Sequence, residues 1–144
     1  MNPDSRSVGE SQATISLIMG PQDANPFGNV HGGVIMKLID EVGGIVAARH
    51  ARHPAVTVVV DTVEFLSPVL VGHLLRLDAS LNWVGHTAME VGVRVQVENV
   101  LTGEVTHTNS AFVVYVALGE NGRPAMVPRM TLETEDERRR FAEG

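Results

Sequence analysis

The chain contains no cysteine, which excludes disulfides, a thiolate nucleophile and cysteine-ligated zinc, and leaves the redox compartment open. Lysine is nearly missing: of 11 basic residues only Lys37 is one, and the arginines that make up the rest fork well onto phosphate or carboxylate. Positive charge is in deficit too, and a net charge of -6 argues against a general nucleic-acid or membrane-surface binder. Long apolar runs are absent. The longest, Ala111 to Leu118, is far too short to cross a bilayer, and the polar start Met1 to Arg6 lacks the apolar core of a signal peptide. These absences together set the expectation of a cytoplasmic protein with neither a nucleic-acid nor a membrane partner. What is present is ordinary for a globular chain, 44% apolar and 19% charged. At 144 residues it is one domain, able to bury ~68–70% of its extended surface.

Residues 1–11 are polar and are expected to lack structure. Ala13 to Met19 then reads as a strand with Ile15, Leu17 and Met19 on one face. Gly20-Pro21 ends it, and Gln22 to Asn29 is turn chemistry. From Val34 to Arg49 the period changes: Val34, Ile35, Leu38, Ile39, Val42, Ile45 and Val46 form one apolar stripe of a helix that Pro54 cannot continue. On that helix Asp40 falls on a second face with Met36, Gly44 and Ala47. Gly43-Gly44 costs on the order of 1 kcal/mol per glycine, so close approach by another backbone is expected there. Four strands follow, Val56–Leu66, His73–Val84, Val91–Glu98 and Glu104–Leu118, joined by short links that imply antiparallel pairing. A charged helix, Glu133 to Ala142, closes the chain. The order predicts an α+β domain over 12–130, one long helix against one face of an antiparallel sheet, with a tail over 131–144. One helix cannot cover such a sheet, and the doubly apolar stretch 111–118 predicts that a second subunit completes it.

Chemistry-bearing residues concentrate around the helix start: Asn25, His31, Gly32, Gly33 and, two turns in, Asp40. A helix N-terminus offers unpaired N–H groups, and glycines there let a carbonyl oxygen approach. A carboxylate in the helix can act as general base or nucleophile, and an amide can orient a water. Pattern alone equally allows a tight turn, a turn-forming Asn and a solvated Asp. On spacing alone Thr62 and Glu64 earn no role. The six histidines include no set with metal-ligand spacing, so no metal is expected, and without a Gly-x-Ser-x-Gly elbow or a dinucleotide fingerprint neither a serine triad nor a cofactor is expected.

The run Asn25-x-x-Gly28-x-x-His31-Gly32-Gly33, with Asp40 nine positions after His31, resembles the hotdog-fold acyl-CoA thioesterases, and within them the cytosolic acyl-CoA hydrolase branch. The resemblance continues through Val58 to Pro68, Val71-Gly72 and Val84 to Val91, and covers roughly residues 13–130. It implies the hotdog fold, a long central helix wrapped by a curved antiparallel sheet, and hydrolysis of a coenzyme A thioester without a cofactor. By that resemblance Asp40 activates water or attacks directly, Asn25 positions the water or carbonyl, and backbone N–H groups at Gly32 and Gly33 polarise the carbonyl. Thr62 matches a position whose hydroxyl helps hold the water or the Asp. His31 and the loop Gly85, His86, Thr87 and Ala88 correspond to substrate contacts. The chain departs from many members at His73, His86 and Ala88, which bears on CoA contact and not on the chemistry. The resemblance also implies a homo-oligomer, a dimer at least with tetramer and hexamer open, whose site lies between subunits. A hotdog enoyl-CoA hydratase or dehydratase, using His31 with Asp40, and a non-catalytic acyl-CoA-binding protein are the alternatives.

Overall fold

The computed structural model describes residues 5–62 and 68–143, the side chains of 62, 108 and 109 excepted. Strand β1 (Ser5–Ser7) leads through a single 3-10 turn to β2 (Ala13–Ile18). The long helix α1 (Gly32–Ala51) precedes β3 (Ala55–Thr62), β4 (Leu74–Val84), β5 (Ala88–Glu98) and β6 (Val105–Ala117). A short β7 (Arg129–Thr131) and a terminal α2 (Glu135–Glu143) complete the chain.

Five strands form one antiparallel sheet in the order β2-β4-β5-β6-β3. Because α1 follows β2 and precedes β3, it carries the chain from one edge of the sheet to the other. Alternation decides which face it covers. Leu75, Leu77, Ala79 and Leu81 of β4, Met89 to Val95 at every second position of β5, and Ala111, Val113 and Tyr115 of β6 are buried in one cluster with the helix stripe Ile35, Leu38, Ile39, Val42 and Val46. Each of those helix side chains contributes about 1.5–3 kcal/mol on burial. Register shifts between Thr57 and Val59, Leu81 and Trp83, and Val95 and Gln96 bend the strands around the helix.

The helix begins two residues earlier and ends two later than its apolar pattern predicts. Its last turn closes on Arg52 in the left-handed conformation (φ 57°), whose N–H reaches the Ala48 carbonyl at 2.8 Å. There the helix is tied down twice: the Arg49 guanidinium donates to the Gln12 carbonyl at 2.7 Å, and His50 Nε2 lies 2.7 Å from the Pro128 carbonyl.

Two expectations are corrected. Residues 5–11, expected to lack structure, are ordered: Ser5–Ser7 pairs in parallel with Arg129–Thr131, and Val8 is fully buried. The physical cause is the tail, which returns to offer β1 an edge; the division expected at 130/131 therefore falls inside β7. Within this chain the close approach at Gly43 is by a side chain and not by a backbone. A Cβ there would run into the phenol oxygen of Tyr115 and lie 3.2 Å from its Cε2 and Cζ, so the close neighbour is a β6 side chain. In the apolar stretch 111–118 Phe112 is half-exposed, and the edge strand β3, not singled out by the sequence, adds Val58 and Val59 at 57% and 50% exposure.

Candidate active site

The loop before α1 is shaped by its own polar groups. Pro21–Asp23 makes a 3-10 turn, with the Gly20 N–H donating to Asp23 Oδ2 at 2.9 Å. Asn25 Oδ1 accepts from the N–H groups of Phe27 and Asn29 at 2.9 and 3.2 Å, and Gly28 takes the positive φ (86°) that this tight turn requires. The Asn25 oxygen is thus committed to its turn, while its amide nitrogen has no partner among the described residues. The loop is pinned at its end by Val30, which donates to the Val69 carbonyl at 2.7 Å, and by His31, which donates to the Asp23 carbonyl at 2.9 Å.

His31 is the N-cap of α1, but its ring makes no cap and is exposed. The first helical N–H groups, at Gly32 and Gly33, have no acceptor among the described residues. A Cβ on Gly33 would meet nothing within 4 Å, so no neighbour in this chain demands a glycine there. What the geometry provides is two bare donors at the positive end of a 20-residue helix, open to a ligand oxygen.

Asp40 lies seven residues beyond Gly33, about 10 Å further along the helix. It is half-buried, and its carboxylate is held by two hydroxyls that sequence reading missed. Thr57 Oγ1, at the β3 register shift, donates to Asp40 Oδ1 at 2.6 Å. The Tyr115 phenol stands 2.8 Å from the Asp40 main-chain carbonyl and 3.1 Å from the same Oδ1. Burial, then the Asp40 charge and the hydrogen bond to it, push the phenol well above the usual tyrosine range, so it stays a donor. Asp40 Oδ2 has no partner among the described residues. A carboxylate with one oxygen fixed and the other uncommitted can take a proton from water or attack a carbonyl carbon.

The backbone of Thr62 pairs with Ala111, but its side chain lies outside the described residues, as does Glu64. Among the described residues the threonine hydroxyl on Asp40 belongs to Thr57. Nothing local distinguished Thr57 from the other β-formers of its strand, and Tyr115 sat in a run that read simply as apolar. Loop 85–88 forms a hairpin tip: the Gly85 N–H donates to the Ala88 carbonyl at 2.8 Å, while the Thr87 and His86 carbonyls accept from Ala117 and Val127 at 3.0 and 2.9 Å. The indole of Trp83 fills the space a Cβ on Gly85 would need.

Within one chain, then, the expected residues stand in three groups: the Asn25–Gly33 loop, Asp40, and loop 85–88. No hydrogen bond or ion pair among the described residues joins them. A cavity of about 400 Å³ lies on the opposite face of the sheet, lined by Thr14, Ser80, Asn82 and Arg94 among others, and contains none of them. No cluster of three or more His, Asp or Glu among the described residues could hold a metal. No described helix is long and apolar enough to cross a membrane.

Comparison with known proteins places this geometry in context. Residues 27–104 match the model of the thioesterase superfamily. A cytosolic acyl coenzyme A thioester hydrolase of Rattus norvegicus is 39% identical over 146 residues, covering the whole of this chain and 38% of its own length. The chain thus spans well under half of that relative. A solved apo-hexameric acyl-CoA thioesterase superposes with a TM-score of 0.90 at 38% identity, over 96% of this chain and 88% of its own. An acyl-CoA hydrolase from Staphylococcus aureus, solved with butyryl coenzyme A, coenzyme A and coenzyme A disulfide, gives 0.88 at 30% identity, over 96% and 84%. That hydrolase has also been solved with an asparagine, an aspartate and a threonine each changed to alanine. The three are spaced 15 and 17 positions apart, as are Asn25, Asp40 and Thr57 here.

Proposed function

The chain belongs to the thioesterase superfamily and has its hotdog fold, and from that premise we propose that it hydrolyses acyl-CoA thioesters to a carboxylic acid and free coenzyme A. One observation carries the reading: an Asp40 carboxylate with Oδ1 held by Thr57 and Tyr115 and Oδ2 uncommitted, beside an open strand edge.

Asp40 takes a proton from water as the oxygen attacks the thioester carbon, or attacks that carbon itself and is then freed by water. Asn25, through its unpartnered amide nitrogen, positions the water or the carbonyl. The N–H groups of Gly32 and Gly33 receive the oxyanion of the tetrahedral intermediate. When the C–S bond breaks the electron pair leaves on sulfur: on the general-base route the proton follows from the acid that Asp40 has become, and on the nucleophilic route it comes from the water that then hydrolyses the Asp40 acyl anhydride. Loop 85–88 and His31 contact the coenzyme A part.

Geometry within one chain leaves about 10 Å of helix between the glycine donors and Asp40. The site is therefore assembled between subunits, Asn25 and the glycines of one protomer facing Asp40 of its partner across the exposed β3 edge. The hexameric assembly named for the solved thioesterase agrees with such a homo-oligomer. A cytoplasmic location goes with the same reading. Enoyl-CoA hydration would need His31 paired with Asp40 across the same subunit boundary, and an enoyl-CoA hydration assay separates the two readings.

The test is a panel of acyl-CoA esters followed by release of free thiol. The parent turns over at least one ester, and Asp40→Ala loses about 10³-fold or more in kcat while its circular dichroism is unchanged. Undiminished turnover in Asp40→Ala sinks the reading; tight acyl-CoA binding with no turnover in the parent would make the protein a binding module instead.

A further inference from the structure

Resting on the reading of Asp40 as base or nucleophile, we propose that Tyr115 is a positioning residue whose phenol, seated on Gly43, determines which carboxylate oxygen Asp40 presents to the reaction. Thr57 alone makes one hydrogen bond, at 2.6 Å to Oδ1, and a carboxylate held at one point can swing about it. The phenol adds a different restraint. It touches two parts of the same residue, the main-chain carbonyl at 2.8 Å and Oδ1 at 3.1 Å. One rigid group in contact with both the backbone and the carboxylate restrains the torsions between them.

The phenol reaches the helix backbone only because residue 43 has no side chain, its Cβ position being taken by the phenol oxygen itself. The ring cannot yield, since Tyr115 is 1% exposed among core side chains. Tyr115 and Gly43 are thus two halves of one device, and Gly43 is given a reason that helix propensity, which disfavours it, does not provide. Oδ1 is occupied twice, and Oδ2 is left as the reactive oxygen.

Tyr115→Phe keeps the ring and removes only the hydroxyl. Losing a hydrogen bond to a charged group predicts a fall in kcat of about 10- to 100-fold, with KM for the same acyl-CoA within about twofold of the parent, because the phenol touches no substrate. In an Asp40→Asn background the same change should cost nothing further, since the group it positions is already disabled. Asp40→Asn inactive with Tyr115→Phe within twofold of the parent kcat overturns this proposal and leaves Asp40 in its role. Full turnover by Asp40→Asn overturns both. If Tyr115→Phe does not fold, a second measurement decides: Tyr115 is the chain's one tyrosine, so biosynthetic 3-fluorotyrosine labels it alone. Its fluorine resonance should move on Asp40→Asn, and an unmoved resonance overturns the proposal.

Discussion

The two ends of the candidate site are built on opposite terms. Asp40 is held from within its own chain, by a hydroxyl from β3 and a phenol from β6, in a network whose phenol is buried. Among the described residues the Asn25–Gly33 stretch is held by its own turn, by the Asp23 carbonyl and by the Val69–Val71 segment, and its unpartnered N–H donors lie at an exposed helix start. The first end is finished when the chain folds; the second is finished only when something else arrives. The contrast fits the interfacial site proposed above, seen from one protomer: the charged group is set by packing, and the binding groups lie at an exposed helix start.

The sharpest way to break the contrast is to mix two dead variants. If the two ends act across a subunit boundary, Asn25→Ala and Asp40→Ala oligomers are each inactive alone. Unfolding, mixing and refolding them together should restore about a quarter of parent activity, because half the random pairs are mixed and each mixed pair rebuilds one of its two sites. No recovery, with mixed oligomers demonstrated by mass spectrometry, would put both residues in one protomer.

A smaller effect separates the ends by packing. Gly43→Ala forces a methyl into the Tyr115 phenol and should lower stability by about 1–3 kcal/mol, read as a drop in urea midpoint. Gly33→Ala meets nothing in the chain and should leave stability unchanged or raise it by up to about 1 kcal/mol. It should nonetheless depress turnover, because the methyl stands where the ligand carbonyl approaches. Equal destabilisation by both would erase the distinction.

The smallest effect lies at the far end of α1. Buried His50 has its pKa lowered, first by desolvation and also by Arg6, against the Pro128 carbonyl and Glu10, which act the other way, and its Nδ1 has no partner among the described residues. Below its ordinary value of 6.5 the unfolded chain takes up a proton that the folded His50 resists. The unfolded state then binds more protons, so stability falls as pH drops through 6.5 and is steady above about pH 7.5. The melting temperature of the parent minus that of His50→Gln, scanned from pH 8 to 5, isolates this from Glu90, whose raised pKa, from burial and then Asp61, has the opposite sign. A flat difference would mean that His50 does not contribute.

Much of the fold was legible because it rests on periodicity. The 3.6-residue stripe predicted α1 to within two residues at either end, and strict alternation predicted β4 and β5. The N-terminal strand was not legible, since Ser-Arg-Ser has no strand pattern and takes its shape from β7, more than 120 residues away.

Of the candidate site, the residue types that carry chemistry were readable from local order: an asparagine in a turn, glycines at a helix start, an aspartate off the apolar stripe. Their companions were not. Thr57 touches Asp40 across 17 positions and Tyr115 across 75, and neither contact leaves a local trace. The sequence by itself determined the long helix, the long strands and the unpaired donors at the helix start, because dihedral preference and hydrophobic period act between near neighbours. Only the tertiary structure decided which hydroxyls meet Asp40 and why residue 43 is glycine. Those follow from strand register and from the way the sheet packs on the helix, and a shift of one residue in β6 would turn Tyr115 to the other face.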